Sequence, residues 1–451
     1  MQPAGQIEQL ALDIPLQATD KTRFQARWQD LSWQQWKMLP GVQHLAGTLS
    51  GSAEDGRLTA EVTQATMPYK TVFRAPLEIK KGVATLNWLN NSDGFQLDGR
   101  QLDIEATGLR ARGDFRYLKP THDEPWLGIL AGISTNDAGQ AWRYFPENLM
   151  GKALVDYLSG AIQGGQVDNA TLVYGGNPHL FPYKHNEGQF EVLVPLHNAV
   201  YAFQPGWPAL KNFDIELDFL NDGLFMKSDE VSLGGVQARN LAAAIPDNRK
   251  ENLLIDADIN GPGKEVGPYF NETPLKDSLG ATLDELQLDG DVSARLHLDI
   301  PLDGEITTAK GEVRLRNNSL FIKPLNSTLH NLNGNFSFVN GNLQSEPLTA
   351  SWFNQPLNVN FSTTEGKKAY EVAIDMNANW QPARTGVLPK QVNDALSGSV
   401  AWNGKVGIEL PYNAGARYNV DIKGDLKNLA SRLPSPLNKP AGQSLPVKLN
   451  V

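Results

Sequence analysis

Apolar residues recur at every second position along most of the chain. In LHLDIPL, residues 296–302, Leu296, Leu298 and Ile300 share one face of an extended segment, while the residues between them are polar. The alternation recurs in FEVLVPL from Phe190, FDIELDFL from Phe213, YEVAIDMNANW from Tyr370 and RYNVDIKGDL from Arg417. A strand buried on both faces reads as a continuous apolar run instead. The pattern therefore predicts β-sheet with one apolar and one solvated side.

Asx-Gly dipeptides separate many of these segments, as in EDGR, SDGF, NDGL and LDGD. They are a strong signal for tight hairpins, and strands joined by hairpins form an antiparallel meander. Helices are predicted at residues 32–39 and 146–162, the second one ended by Gly164 and Gly165, with single turns in KEVGPYF and PLKDSLG. We interpret these helices as plugs at the end or edge of a sheet.

A group of strands is repeated along the chain. LALDIPL at residues 10–16 returns as LHLDIPL at 296–302, and HLAGTLSG and HNLNGNFSF follow the two copies at nearly the same distance. Weaker copies lie at residues 396–412 and 210–235. Repetition with drift is typical of elongated proteins in which each unit contacts its neighbours. We divide the body into segments 1–125, 126–250 and 251–451.

The sheet must bury its apolar face, and curling into an open U-shaped trough leaves a long apolar groove, which marks a binding site for an apolar partner. Roughly 25 strands at about 4.8 Å each would extend on the order of 120 Å. The residues predicted to line the groove are Phe190, Val192, Val194, Ile215, Leu217, Phe219, Leu296, Leu298, Ile300, Val313, Leu315, Phe336, Phe338, Trp352, Leu357, Val359, Phe361, Val372, Ile374, Val420 and Ile422.

The segment at residues 330–361 shows which side is expected to be concave. Phe336, Phe338, Leu357 and Val359 are predicted on the concave side, and the Asn and Ser residues that alternate with them on the convex side. A slip of one residue would exchange the two faces completely, so the pattern specifies the register. The turn VNGN at residues 339–342 is predicted to be an exposed rim.

Charge and composition exclude several classes of function. The 451 residues carry a formal net charge of −10, with a pI near 5.3, which argues against nucleic-acid binding and against a broad basic surface for anionic lipid headgroups. The absence of cysteine is compatible with an oxidising compartment. No apolar run is long enough to span a membrane, and the first residues do not resemble a signal peptide. Both ends fall within predicted strands, which indicates a segment of a longer protein.

Residues for catalysis or metal binding are not grouped in the sequence. Of the seven histidines, only His179 and His185 are close together, without a metal-ligand spacing. The carboxylates alternate with apolar residues, as on a solvated strand face, so we expect no catalytic site, no metal and no cofactor. The ten tryptophans leave open a carbohydrate-active β-protein as one functional interpretation.

Residues 144–226 carry a more specific signal. They contain Phe145-Pro146, Phe181-Pro182-Tyr183, Gly188-Gln189-Phe190 and a Tyr201 that leads to Trp207-Pro208. This block resembles a domain of unknown function in the very large AsmA-like envelope proteins of Gram-negative bacteria, and the later strand repeats resemble the AsmA-like repeat. The resemblance implies an all-β, U-shaped "taco" fold of the AsmA/TamB type.

The same resemblance implies a function. The parent protein would be anchored in the inner membrane and span the periplasm, and its groove would shield phospholipid acyl chains on the way to the outer membrane. The partners would be phospholipid, the two membranes and the remainder of the parent chain at both ends. The alternative is a non-enzymatic scaffold that assists outer-membrane protein assembly by offering a sheet edge, as the related TamB-like proteins suggest.

Overall fold

A computed structural model describes residues 3–35, 41–69, 72–247, 252–302 and 306–450. The prediction of an all-β protein with a few short helices is confirmed. The described strands are β1 (Ala4–Asp13), β2 (Arg23–Trp33), β3 (Val42–Gly51), β4 (Asp55–Met67), β5 (Leu77–Asn91), β6 (Gly94–Ala106), β7 (Leu109–Pro120), β8 (Trp126–Thr135), β9 (Ile162–Gly176), β10 (Gln189–Tyr201), β11 (Leu210–Leu220), β12 (Gly223–Leu233), β13 (Val236–Ile245), β14 (Asn252–Pro262), β15 (Leu286–Asp289), β16 (Asp291–Pro301), β17 (Thr308–Ile322), β18 (Ser327–Val339), β19 (Asn342–Ser345), β20 (Leu348–Trp352), β21 (Gln355–Glu365), β22 (Ala369–Trp380), β23 (Leu396–Gly398), β24 (Val400–Pro411), β25 (Arg417–Asp425), β26 (Leu429–Ser431) and β27 (Pro446–Asn450).

Twenty-five of these strands form one antiparallel meander, and β23 and β26 form a separate pair. Two rows of the sheet are interrupted, because β15 and β16 both pair with β17, and β19 and β20 both pair with β18. The sequence repeat corresponds to β1–β3 and β16–β18. The sheet crosses both expected segment boundaries, since β7 pairs with β8 and β13 pairs with β14. The three segments therefore remain a proposal about sequence organisation.

A line of corners crosses the sheet. Asp30, Asn198, Asn212, Asn240 and Asn317 all have φ between 50° and 55°, and each lies at a shift in strand register. Asn and Asp adopt this left-handed conformation more readily than other non-glycine residues, and a bulge at such a residue bends its strand. The strands are therefore divided into two arms.

The corners are capped by the neighbouring strand. The backbone N–H of Asn198 donates to Asp214 Oδ1 at 3.1 Å, and the N–H of Asn317 donates to Asn333 Oδ1 at 2.9 Å. Across the corner, the Tyr201 hydroxyl lies 3.9 Å from Met226 Sδ. Because both side chains belong to the apolar side of the sheet, that side is the concave one here.

All the described α-helices lie in connections along one edge of the sheet, which we call the helical edge. They are α1 (Glu147–Met150) and α2 (Lys152–Ala161) before β9, α3 (Val266–Asn271) and α4 (Ala281–Glu285) before β15, and α5 (Lys390–Ala395) before β23. A π-helical turn at Lys276–Gly280 separates α3 from α4. The opposite edge, the hairpin edge, is made largely of short turns, among them Asn340-Gly341 between β18 and β19.

Two helix predictions are wrong in detail. Residues 146–162 form two helices rather than one, because Gly151 has φ +86°, and α2 ends at Ala161 because Ile162 begins β9. Gly164 and Gly165 therefore belong to a strand. In the other predicted helix, residues 32–33 end β2, and residues 36–39 lie outside the described residues.

Candidate functional site

One side of the sheet, which we call the apolar face, carries a continuous row of apolar residues that are neighbours across adjacent strands. This row is called the apolar file. Directly paired residues lie on the same face, so the register traces this file from strand to strand. From β1 to β10 it consists of Leu10, Ala26, Leu49, Leu58, Leu86, Gly99, Phe115, Ile129, Tyr174 and Phe190. It continues through Val194, Leu217, Met226, Ala243, Ile255, Leu298 and Ala309.

All the residues predicted to line a groove lie on this apolar face of their strands. Val313 pairs with Phe336, Phe361 with Ile374, and Val420 with Val406. Seven of them are buried: Ile215, Leu217, Ile300, Leu315, Leu357, Val359 and Val372. The others are half-buried. That they contact a ligand stays a prediction.

In the central section, β9–β14 with α1 and α2, protein side chains already cover the apolar face. Leu154 and Leu158 of α2 are completely buried, in one hydrophobic cluster with Leu196, Ile215 and Leu217 of the sheet. The Tyr201 hydroxyl donates to the Tyr157 hydroxyl at 3.0 Å. Burial raises the pKa of both phenols, that of Tyr201 to about 12, so both stay neutral at physiological pH.

In the C-terminal section, β15–β27, a helical insertion crosses from one edge of the sheet towards the other. Leu279, in the π-helical turn, belongs to a buried cluster with Tyr370, Val372, Ile408 and Leu410 of β22 and β24. At the end of α4, Glu285 accepts hydrogen bonds from Lys323 Nζ at 3.3 Å and from the Tyr418 hydroxyl at 2.8 Å. Lys323 follows β17 at the helical edge, and Tyr418 begins β25 at the hairpin edge. The insertion therefore joins the two edges.

In the N-terminal section, β1–β8, the apolar face is open in the middle of the strands, whereas Val42, Ala65, Ile79 and Ala106 at the helical edge are buried. Within the described ranges, no residue before Ile133 belongs to, or packs against, any of the three buried hydrophobic clusters. Leu49, Leu58, Leu86 and Phe115 are only half-buried, although their strands are fully paired. A continuous apolar surface with no protein cover is typical of a binding surface.

Aromatic rings lie over glycines on this uncovered face, a feature that the sequence reading missed. Trp88 pairs with Gly56, and a Cβ at Gly56 would lie 2.0 Å from Trp88 Cζ2. A Cβ at Gly99 would lie 2.1 Å from Cε1 of its partner Phe115. These separations require the rings to lie along the sheet over the glycine backbone. The sequence contains glycines that pair with aromatic residues on the apolar side. These pairs can be recognised only when the strand register is known.

The outer face, opposite the apolar face, carries ion pairs. Arg116 donates two hydrogen bonds to Asp98, at 2.7 and 3.0 Å, and this holds the pKa of Asp98 below its usual range. His197 pairs with Asp214 at 3.1 Å, and His297 with Asp256 at 2.8 Å. The polar side chains therefore brace neighbouring strands on the outer face.

The described part of the chain shows neither a metal-binding cluster nor a helix that could cross a membrane. It contains no cluster of three or more histidine, aspartate or glutamate side chains arranged to hold a metal ion. None of its helices has the length and apolar character needed to cross a membrane.

Comparison with known proteins places the chain in a family. The family model described as "YhdP protein" matches residues 1–451. The curated "Intermembrane phospholipid transporter YhdP" of Escherichia coli (strain K12) is 75% identical over 450 residues, which cover 100% of this chain and 36% of that protein. The chain thus spans about one third of the length of this relative, and no solved structure matches it. The resemblance to a very long AsmA-like protein is confirmed: the chain belongs to the YhdP family.

Proposed function

We propose that this chain is a segment of a bridge-like lipid-transfer protein, in which phospholipid acyl chains lie on the apolar face and headgroups remain in water. The observation that supports the proposal is the row of paired apolar residues, which is only half-buried at Leu49, Leu58, Leu86 and Phe115 of the N-terminal section. The name of the Escherichia coli relative, an intermembrane phospholipid transporter, supports the same cargo.

The energetics favour a groove for this task. Each methylene removed from water is worth about 0.8 kcal/mol, so full exposure of two chains of about 16 carbons would cost roughly 25 kcal/mol. A continuous apolar lining offsets that cost along the whole path and needs no catalytic group. The chain therefore acts by shielding, without chemistry on the lipid.

The rest of the proposal concerns the parent protein. Its anchoring in the inner membrane, its span across the periplasm and its contacts with the outer membrane are proposed from the AsmA-like resemblance. The relative's name supports a position between two membranes. The groove would be continued by the remainder of the parent chain at both ends. In this arrangement the predicted lining residues of the central and C-terminal sections form its narrower, partly covered stretch.

Native mass spectrometry of the purified chain tests the proposal, with co-purified phospholipid as the expected result. A photoreactive residue at Leu49, on the apolar face, should crosslink lipid in cells, and one at the neighbouring Ser50, on the outer face, should not. Absence of lipid in both measurements would overturn the proposal. Capture of polypeptide at Leu49 would favour a scaffold for outer-membrane protein assembly instead.

A further inference from the structure

We propose that Gly56 and Gly99 hold aromatic rings flat and so keep the floor of the N-terminal section low enough for acyl chains. This inference rests on the proposed function and assigns part of it to named positions. It concerns glycines whose role is to accommodate a neighbouring side chain rather than to form a turn.

The Gly56–Trp88 pair shows the geometry most clearly. Besides Cζ2 at 2.0 Å, Trp88 Cη2 would lie 2.2 Å from a Cβ at Gly56, so the indole ring covers the glycine. The ring is fixed from its edge, because Trp88 Nε1 donates to the Ser52 carbonyl at 3.1 Å. Its flat orientation is therefore set by the strand pairing and by this hydrogen bond.

The arrangement recurs across the open section. Phe115 covers Gly99, where a Cβ would lie 2.1 Å from Phe115 Cε1. Phe24 stacks on Trp88 with ring centroids 6.2 Å apart and an interplanar angle of 15°. The rings thus extend the apolar surface across β2–β7 without projecting from it.

The surroundings of these rings fit acyl chains better than sugars. The neighbours on the same face are Leu49, Leu58, Leu86 and Ala26, none of which has a side-chain hydrogen-bonding group. A sugar needs directional polar partners beside an aromatic ring, whereas an alkyl chain needs only apolar area. The chemical class that these positions accommodate is a saturated or unsaturated alkyl chain.

A matched control exists on the outer face. Trp126 covers Gly128 in β8, where a Cβ would lie 2.2 Å from Trp126 Cη2. Gly128 pairs with Arg116, so this pair points away from the apolar face. Gly128→Ala therefore introduces the same kind of crowding without changing the proposed lipid surface.

The test uses the full chain and phosphatidylethanolamine brominated in the middle of its acyl chains. We expect Gly56→Ala and Gly99→Ala each to lower lipid capture by about ten-fold, a typical effect of crowding a packed site, and Gly128→Ala to leave it unchanged. Bromine should quench wild-type fluorescence, and Trp88→Phe should remove part of that quenching. The double variant Gly56→Ala/Trp88→Leu should recover capture, because it removes the displaced ring.

The outcomes separate this inference from the proposed function. If the wild-type chain binds no lipid, the proposed function fails and this inference fails with it. If lipid binds but Gly56→Ala and Gly99→Ala capture it normally, only this inference is overturned. Equal losses in the Gly56→Ala and Gly128→Ala variants, or no recovery in the double variant, would also overturn it, because they indicate a general effect on folding.

Discussion

The N-terminal and central sections are built from the same strands and yet differ in what their apolar faces contact. In both, paired apolar residues follow one another from row to row. In the N-terminal section Leu49 and Leu86 are half-buried, whereas in the central section Leu217 is 1% exposed in the cluster that includes α2. The strand pattern thus determines which face is apolar. The connections at the helical edge determine how much of that face is covered by protein side chains.

The largest effect is expected from a charge beneath α2. Leu158→Asp should lower the free energy of unfolding by roughly 4 kcal/mol, because Leu158 is completely buried and the carboxylate would have no partner. Chemical denaturation measures this loss. The matched variant Leu58→Asp, in the half-buried N-terminal section, should cost much less. Equal losses would show that the two sections are packed alike.

A charge in the open section should instead affect transport. Leu86→Asp places a carboxylate on the apolar face, where desolvation by a passing acyl chain costs several kcal/mol. We expect the folded variant, in the parent protein, to lose most lipid capture. Thr85→Asp, on the outer face opposite Arg100, is the control and should transport normally. Full activity of Leu86→Asp would count against a continuous groove.

Truncation of a single leucine sharpens the comparison. Leu217→Ala should destabilise the chain by about 2–5 kcal/mol, because it leaves a cavity in a packed cluster. Leu49→Ala should cost about 1 kcal/mol, because its surroundings are already open to solvent. Urea unfolding of both variants in the same buffer measures the two losses of unfolding free energy. A larger loss of unfolding free energy for Leu49→Ala than for Leu217→Ala would contradict a packed central section and an open N-terminal section.

Two outer-face carboxylates should give opposite pH effects, the smallest of the four. Hydrogen bonds from Arg116 lower the pKa of Asp98, so its stabilisation is complete above the unfolded value of about 3.9 and is lost as pH falls through the lower folded pKa. Burial raises the pKa of Asp218 in the central section, and its Oδ1 is buried without a hydrogen-bond partner. The Asp218 carboxylate therefore costs stability once the pH rises above the unfolded value.

Stability profiles of two isosteric variants test this contrast. Asp98→Asn should be destabilised at neutral pH, with the difference shrinking below about pH 4. Asp218→Asn should be stabilised at neutral pH, with the gain disappearing in acid. The same sign of effect for both variants at neutral pH would contradict the opposite environments of the two side chains.

The alternation of residues was sufficient to predict the apolar face, because a strand has only two sides and the register is set by pairing. It also placed Phe336 and Phe338 on the same face as Leu357 and Val359. The corners were not predicted, since Asn198 and Asn317 read as ordinary polar strand residues and their left-handed φ depends on caps from the next strand.

The cover over the central section could not be predicted either. It depends on contacts between residues far apart in sequence, such as Tyr157 with Tyr201 and Tyr201 with Met226. The sequence indicated a helix at 146–162, but not its break at Gly151 or the strands on which it would lie. Which predicted lining residues face a ligand depends on the same long-range contacts.

The line of corners has a consequence for the width of the trough. Each corner is made by one left-handed residue in its own strand, so the separation between the two arms is set row by row. A wide stretch and a narrow one can then follow each other in a single sheet, with the hydrogen-bonded ladder unchanged between them. At Asn198, a β-branched residue would cost about 1–2 kcal/mol in backbone conformation and would alter the separation at β10 and at β11, which supplies the cap. The width of the trough is therefore determined locally, by each corner residue and the neighbouring strand that caps it.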